Sequence, residues 1–119
     1  ITGWRDEPYA YMKMFNIAML LSRWEGFGLA IAEYMVAKKN LIATRVDAIP
    51  TIVRDGVDGI LVDVDSPEQV AEAVWRIYSD KEFALKLREE AYRSACTKFD
   101  IRRVAEQHVK LFREMMTTD

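Results

Sequence analysis

The sequence of 119 residues predicts an α/β fold in which a parallel sheet lies between layers of helices. Three short apolar runs, each bounded by polar or turn-forming residues, are typical of buried strands. Stretches with helical periodicity separate these runs, and strands that alternate with helices indicate a parallel sheet. The third run also follows a clear turn signal, Asp55-Gly-Val-Asp-Gly59, which supports its assignment as a strand.

The first two helices flank the first strand. The pattern predicts a helix over Pro8 to Phe15, and a second helix over Gly28 to Lys39 that is apolar nearly all round and therefore suited to burial. Lys38 and Lys39 fit the end of that helix, because cations there complement the helix dipole. The predicted strands are Ile17 to Leu21, Leu41 to Thr44 and Ile60 to Val64.

Three further helices close the chain. Ser66-Pro67 is a helix-start signal, with Ser at the N-cap and Pro in the first turn. The next helix is predicted over Lys81 to Thr97, and Asp100 is predicted to cap the last one. The stripes expected to face the core are Val70, Val74, Ile77 and Tyr78 in the first of these helices and Phe83, Leu87 and Ala91 in the second.

The composition limits the classes of function that the chain can have. Lys plus Arg number 17 against 19 Asp plus Glu, a net charge of −2, so no broad basic field is available for nucleic acid. No apolar run approaches the roughly 20 residues of a membrane-spanning helix. Half of the residues are hydrophobic, which is typical of one soluble domain. The single cysteine, Cys96, excludes an internal disulfide and fits a cytoplasmic setting.

The segment from Ser22 to Glu33 contains the candidate ligand-binding residues. It lies where the first strand ends and a helix begins, and ligands of open parallel sheets bind at that edge. Gly26 and Gly28 allow close approach of a ligand to the backbone, and a helix start offers free N–H groups to a phosphate. Two glycines in a strand-to-helix turn also have a purely steric explanation, so this signal alone leaves both interpretations open.

Two carboxylates, those of Glu25 and Glu33, favour the ligand-binding interpretation of this segment. Glu33 is the only charged residue between Leu29 and Ala37, and a carboxylate buried without a partner costs several kcal/mol. It must therefore be paired, exposed or functional. Glu25 lies just before the helix, so a ligand above the helix start would meet both groups. Carboxylates accept hydrogen bonds from sugar hydroxyls, which indicates a polyhydroxylated ligand that carries a phosphate.

These residues resemble a known family. Glu25-Gly-Phe-Gly-Leu29 with Glu33 is similar to the E-x7-E signature in the C-terminal domain of retaining GT-B glycosyltransferases, particularly their large family 4. The likeness continues in order and at family spacing over nearly the whole chain. It includes Leu41-Ile-Ala-Thr44, Ile49-Pro50, Ile52-Val53, Asp55-Gly56, Gly59-Ile-Leu-Val62 and Phe99-Asp100.

The resemblance implies a donor site for a nucleoside diphosphate sugar. Glu33 would hold ribose hydroxyls, and Glu25, the implied catalytic residue, would contact the donor sugar near the reacting centre. Backbone amides in the segment Gly26, Phe27, Gly28 and Leu29 would meet sugar and diphosphate oxygens and stabilise the leaving group. Thr44 and Trp4 are weaker candidates. No tightly bound cofactor and no metal are expected, because the nucleotide sugar is the donor substrate and no Asp/His cluster is present.

Several positions depart from the family pattern. Where the family usually has a helix-ending glycine, this chain reads Ala37-Lys-Lys-Asn40, and Asp47-Ala48 stands where two glycines are common. An aspartate beside a diphosphate is unfavourable unless it is turned away or paired. Arg23 and Arg45 would supply compensating positive charge, although solvated surface positions are their default interpretation.

The resemblance also implies an incomplete Rossmann-like domain, with residues 1–119 forming the second part of the donor-binding domain. The missing N-terminal part of the enzyme is then a partner, and the fragment alone is expected to be inactive. The family strand order leaves strand 17–21 without its neighbour, so self-association through an exposed sheet edge is expected. The full enzyme, if it builds surface polysaccharide or glycolipid, would be cytoplasmic and would contact the membrane at most peripherally.

Three hypotheses follow. The first is a hexosyltransferase part that moves a sugar from a nucleoside diphosphate to a glycan or lipid-linked acceptor. The second is a catalytically silent nucleotide-sugar-binding or assembly module, which Asp47, Lys38 and Asn40 favour. The third is a sugar-nucleotide epimerase of the same architecture, with a different acid/base set.

Overall fold

A computed structural model of the chain describes residues 6, 8–25, 29–98 and 101–117. Six helices and three strands lie within these ranges, and the strands alternate with helices as the sequence predicts. The elements are α1 (Pro8–Met12), β1 (Ile17–Leu20), α2 (Leu29–Val36), β2 (Asn40–Thr44), α3 (Ile49–Ile52), β3 (Ile60–Val62), α4 (Pro67–Ser79), α5 (Lys81–Lys98) and α6 (Ile101–Met116).

The three strands form a parallel sheet in the order β1-β2-β3. Leu20 of β1 lies opposite Ala43 of β2, and Ala43 lies opposite Leu61 of β3. All five residues of β2 are buried, as expected for a central strand in a sheet covered on both faces. Within the described residues, β1 pairs with β2 alone and therefore forms one edge of the sheet.

Side chains of the strands alternate between two cores. Leu41, Ala43 and Leu61 belong to a core with Ile31 and Met35 of α2. The intervening residues Ile42, Ile60 and Val62 belong to a second core with Ala73 and Ile77 of α4. Because successive residues of a strand point to opposite faces, these two cores lie on the two sides of the sheet. The predicted three-layer α/β architecture is confirmed.

The long helix α5 contributes to both cores. Its first half places Ala84 and Leu87 in the core with α4, and Phe83 packs against that core. Its second half places Ala91 and Ala95 in the core with α2. The predicted inward stripe of Phe83, Leu87 and Ala91 is therefore confirmed, but its division between the two faces was not foreseen.

Helix α4 differs in one position from its predicted stripe. Ala73 and Ile77 are buried and Val70 and Val74 pack against them, whereas the Tyr78 side chain is 73% exposed. Its ring lies beside that of Trp75, with 5.9 Å between ring centroids. The prediction that Tyr78 faces inward is wrong. The buried stripe of α4 includes Ala73, so the inner face of the helix is turned toward Ala73 and away from Tyr78.

The end of α2 is built without the usual glycine. Lys38 adopts the left-handed φ of 57° that glycine commonly supplies at this position. The N–H of Lys39 donates to the carbonyl of Tyr34, and the N–H of Lys38 donates to that of Met35, both at 3.1 Å. This pair of hydrogen bonds is the Schellman motif, so α2 ends cleanly at Val36, before the predicted Lys39.

A buried aspartate joins the turn before β3 to α5. The Asp58 carboxylate accepts hydrogen bonds from the Arg54 N–H at 2.6 Å, the Arg54 Nε at 2.9 Å and the Ser94 hydroxyl at 2.9 Å. The side chain of Asp58 is fully buried. These three donors compensate the loss of water around the charge.

Three smaller differences from the predicted elements remain. Helix α1 ends at Met12 rather than Phe15, β3 ends at Val62 rather than Val64, and the sequence does not predict the helical turn α3. The predicted cap Asp100 lies outside the described residues. Among the described helices, none is both long and apolar enough to span a bilayer.

Candidate functional site

The carboxyl ends of the three strands meet at one edge of the sheet because the strands are parallel. The segments that leave β1, β2 and β3 at this edge are residues 21–25, 45–48 and 63–66. Helix α2 begins at Leu29, shortly after the first of these segments. The carboxyl edge at which the sequence predicts a ligand site is therefore present, and Glu25, Leu29 and Glu33 lie in the segments beside it.

Glu25 is held by hydrogen bonds to its own segment and to the segment that follows β2. Its backbone N–H donates to Oδ2 of Asp47 at 2.7 Å. One oxygen of its carboxylate, Oε2, accepts a hydrogen bond from the Ser22 hydroxyl at 3.3 Å. The residue as a whole is half-buried.

Thr44 ties the ends of two strands together. Its hydroxyl donates to the Ser22 carbonyl at 2.6 Å, and the residue is buried. The hydroxyl of this weaker candidate is thus occupied in a structural hydrogen bond. Through Ser22, the bond connects the end of β2 to the segment that carries Glu25.

Glu33 lies in the second turn of α2 and is half-buried. Within the described part of the chain, its carboxylate has no hydrogen bond or ion pair, unlike the carboxylates of Asp58 and Asp63. Of the paired, exposed and functional alternatives, pairing with a described residue is therefore not observed. A half-buried carboxylate of this kind retains its capacity to accept hydrogen bonds from a ligand.

The remaining site residues divide into two groups. Leu29 is the first residue of α2, and its side chain is 72% exposed. The positions of Gly26, Phe27 and Gly28 lie outside the described residues, as does Trp4. Of the residues in the predicted motif, the structure thus describes Glu25 in the segment after β1, and Leu29 and Glu33 in α2.

Positive charges at this edge are already paired. Arg23 Nε lies 3.3 Å from an oxygen of Asp65. Arg45 lies 2.6 Å from Asp63 and 3.5 Å from Asp55. These arginines are exposed, in line with their default interpretation, and each already has a carboxylate partner. They therefore offer a diphosphate less uncompensated charge than unpaired arginines would, although breaking such exposed pairs costs little.

A cleft opens beside the strand ends and the start of α4. Its volume is about 210 Å³, and neither Glu25 nor Glu33 lines it. The lining residues are Leu21, Thr44, Asp63, Asp65, Ser66, Pro67 and Val70. A larger cleft of about 410 Å³ lies along β3 and α4 and includes Arg45 and Arg76. Among the described residues, no group of three or more His, Cys, Asp or Glu side chains is arranged to hold a metal ion.

Sequence reasoning did not foresee the part that Ser22 and Asp47 play. The sequence predicts that Asp47 is turned away or paired, and its carboxylate is paired with the Glu25 N–H. Ser22 opens the predicted site segment, but no contact is predicted for it. Ser22 follows β1 and Asp47 follows β2, so both lie at the same edge of the sheet, but this shared edge does not specify which groups pair.

Comparison with known proteins identifies relatives over most of the chain. The family model described as glycosyl transferases group 1 matches residues 1–94. N-acetyl-alpha-D-glucosaminyl L-malate synthase of Bacillus anthracis is 27% identical over 117 residues, which cover 98% of this chain and 31% of that protein. The chain spans less than a third of the length of the curated relatives it matches.

Solved structures give a consistent match. The C-terminal domain of LpcC, a glycosyl transferase group 1 family protein of Francisella tularensis, is 31% identical with a TM-score of 0.76, over 85% of this chain and 52% of that chain. Anabaena HepE, solved with UDP and glucose, has a TM-score of 0.90 over 95% of this chain and 31% of that chain. At 21% identity, the HepE match concerns the fold alone.

Proposed function

Because this chain belongs to the glycosyl transferases group 1 family and matches part of a GT-B C-terminal domain, we propose that it is the donor-binding part of a retaining glycosyltransferase. The donor is a nucleoside diphosphate sugar, and the acceptor is a glycan or a lipid-linked sugar. The enzyme is longer than residues 1–119, and these residues alone do not turn over donor. Its product contributes to surface polysaccharide or glycolipid.

The observation that carries this proposal is the placement of two carboxylates around the start of α2. Glu25 is half-buried in the segment that leaves β1, and Glu33 is half-buried in the second turn of the helix without a described partner. Both groups can accept hydrogen bonds from hydroxyls of one ligand above the helix start. A half-buried carboxylate without an internal partner is costly, and a ligand that donates hydrogen bonds removes part of this cost.

We assign distinct roles to the two residues. Glu33 accepts hydrogen bonds from ribose hydroxyls and thus contributes to donor binding in the ground state. Glu25 contacts the donor sugar near the reacting carbon and contributes as positive charge develops there. Amides around Leu29 at the start of α2 stabilise the leaving diphosphate, which is favoured by the partial positive charge of a helix N-terminus.

The test uses the full-length protein that contains residues 1–119. Turnover is measured as nucleotide release from a panel of nucleoside diphosphate sugars for Glu25→Gln and Glu33→Ala. We expect Glu33→Ala to raise the donor KM about tenfold, as for loss of a charge-assisted hydrogen bond. Glu25→Gln should lower kcat on the order of 100-fold, since it removes charge near the reacting centre.

A matched control is available in Glu68, an exposed glutamate in the first turn of α4. Glu68→Gln and Glu68→Ala should keep the wild-type kcat and donor KM. If both site variants behave like the Glu68 variants, the assigned roles are wrong. If the protein binds nucleotide but transfers no sugar from any donor, the silent binding module becomes the better description.

The silent module has one observation in its favour. The Asp47 carboxylate occupies the Glu25 N–H at the donor edge, where a negative charge disfavours a diphosphate. This charge is exposed and therefore screened, so it weakens donor binding without excluding it. We accordingly rank the transferase first.

A further inference from the structure

Asp47 adopts a backbone conformation that is unusual for its residue type. Its φ is 48°, in the left-handed region that most side chains avoid and that aspartate and asparagine tolerate better than most. Residues held in such conformations persist where surrounding contacts stabilise them. The hydrogen bond between the Asp47 side chain and the Glu25 N–H is such a contact.

In the described residues, that side chain forms one of two side-chain hydrogen bonds that join segment 22–25 after β1 to β2 and the segment that follows it. Asp47 Oδ2 accepts the Glu25 N–H at 2.7 Å, at the short end of the range for such bonds. The second connection is the 2.6 Å hydrogen bond from the Thr44 hydroxyl to the Ser22 carbonyl. The segment from Ser22 to Glu25 is thus fixed at one end to the last residue of β2 and at the other end to the loop after β2.

We propose that Asp47 is a positioning residue, which fixes the backbone of Glu25 and so aims the Glu25 carboxylate at the sugar of the bound donor. This inference rests on the proposed function. A hydrogen bond to an ionised acceptor is stronger than one to a neutral acceptor and suits a loop that must hold its place beside a ligand. Small displacements of a reacting group reduce turnover strongly, so a fixed backbone at Glu25 favours catalysis.

Two substitutions separate the hydrogen bond from the backbone strain. Asp47→Asn keeps an acceptor oxygen, and asparagine tolerates positive φ. Asp47→Gly also accommodates positive φ but has no acceptor. Asp80 offers the matched control, because its Oδ1 accepts the Phe83 N–H at 3.0 Å between α4 and α5, away from the donor edge.

In the full-length protein, we expect Asp47→Gly to lower kcat about tenfold with a smaller change in donor KM, because Glu25 is displaced while the ribose contact remains. Asp47→Asn should stay within about twofold of the wild-type kcat. Asp80→Asn and Asp80→Gly should keep wild-type kcat, whatever they do to the unfolding temperature. Wild-type kcat in Asp47→Gly, or an equal loss in Asp47→Asn, overturns the inference.

A second measurement tests the contact between Asp47 and Glu25 without relying on enzymatic activity. In the ¹H–¹⁵N spectrum of Asp47→Gly, the amide proton of Glu25 should move upfield and should exchange faster with solvent. In Asp47→Asn, the same signal should move less. An unchanged Glu25 amide in Asp47→Gly overturns the positioning inference. If wild-type protein turns over no donor at all, the proposed function fails, and the amide signal still decides whether Asp47 fixes Glu25.

Discussion

Gly59 is required by the packing around the start of β3. A Cβ atom added there would lie 2.6 Å from Cγ1 of Val53 and 3.4 Å from the carbonyl oxygen of Leu41. Both neighbours are buried, and Leu41 belongs to the central strand. The glycine of the predicted turn signal therefore serves close packing as well as the turn.

Gly59→Ala should lower the free energy of unfolding by about 1–3 kcal/mol, because the added methyl group overpacks the core at Val53. Urea unfolding of Gly59→Ala, Val53→Ala and the double variant measures this. Since Val53→Ala removes the clashing Cγ1 atom, the double variant should lose less stability than the sum of the single variants. Strict additivity would show that the Val53 contact is not the cause.

Asp58 shows why a local pattern cannot reveal a long-range contact. In the sequence it is one of two aspartates in a glycine-containing turn, which predicts an exposed position. In the structure its carboxylate is buried and accepts the Ser94 hydroxyl from the second half of α5. Glu33 is the opposite case, because its isolation in an apolar helix was visible in the sequence.

At the scale of elements, the C-terminal end of α2 is the clearest departure from family expectation. Lys38 takes a φ of 57° and completes the Schellman hydrogen bonds that a glycine commonly makes possible. Its ammonium lies 4.7 Å from the centroid of the Tyr92 ring and 3.9 Å from a Glu89 oxygen. These exposed contacts are weak compensation for the backbone strain.

We expect Lys38→Gly to raise the free energy of unfolding by about 0.5–1 kcal/mol, because glycine adopts this φ without strain. Lys39→Gly is the control, since Lys39 does not have positive φ, and it should lower the same quantity. Both values come from urea unfolding at fixed ionic strength. A loss of stability in Lys38→Gly would mean that the Tyr92 and Glu89 contacts outweigh the strain.

The strands and most of the helices were predictable because their signals are local. Apolar runs of four or five residues identified β1 and β2, and the stripe of Phe83, Leu87 and Ala91 identified the inner face of α5. Helix α3 is a single turn of four residues, too short for a periodic pattern to appear. The distribution of α5 over two cores depends on tertiary packing, which periodicity does not encode.

The candidate site was predictable in its location and only partly in its contacts. The edge follows from parallel strands, and Glu25 and Glu33 follow from their spacing and from the resemblance. The pairing of Asp47 with the Glu25 N–H depends on the distance between two loops, which no local pattern contains. The pairing of Arg23 with Asp65 spans 42 residues and was likewise not foreseen.

At the scale of the whole molecule, the side of β1 that faces away from β2 carries no strand among the described residues, and this has consequences in solution. Met19 in β1 and Leu21 just after it are 41% and 45% exposed, and Met14 before the strand is 80% exposed. An apolar edge strand with unpaired backbone groups is a template for pairing with another chain. We therefore expect residues 1–119 in isolation to self-associate.

Light scattering coupled to size-exclusion chromatography over a range of protein concentrations measures this association. Met19→Lys should shift the distribution toward monomer, because a lysine on an edge strand opposes pairing. Val57→Lys is a matched control, since Val57 is 42% exposed but lies in the turn before β3. A monodisperse wild-type monomer at all concentrations contradicts the prediction, as does an equal effect of the control.

Because α5 packs into the cores on both faces of the sheet, it affects how the fold opens during partial unfolding. Leu87 and Ala91 are four residues apart on one rigid helix, and each is buried in a different core. Neither core can separate from the sheet while α5 remains helical and in place, so the two faces should open as one cooperative unit. Amide hydrogen exchange in β2 and in the middle of α5 should then report the same opening free energy, and that energy should set the resistance of the fold to proteolysis.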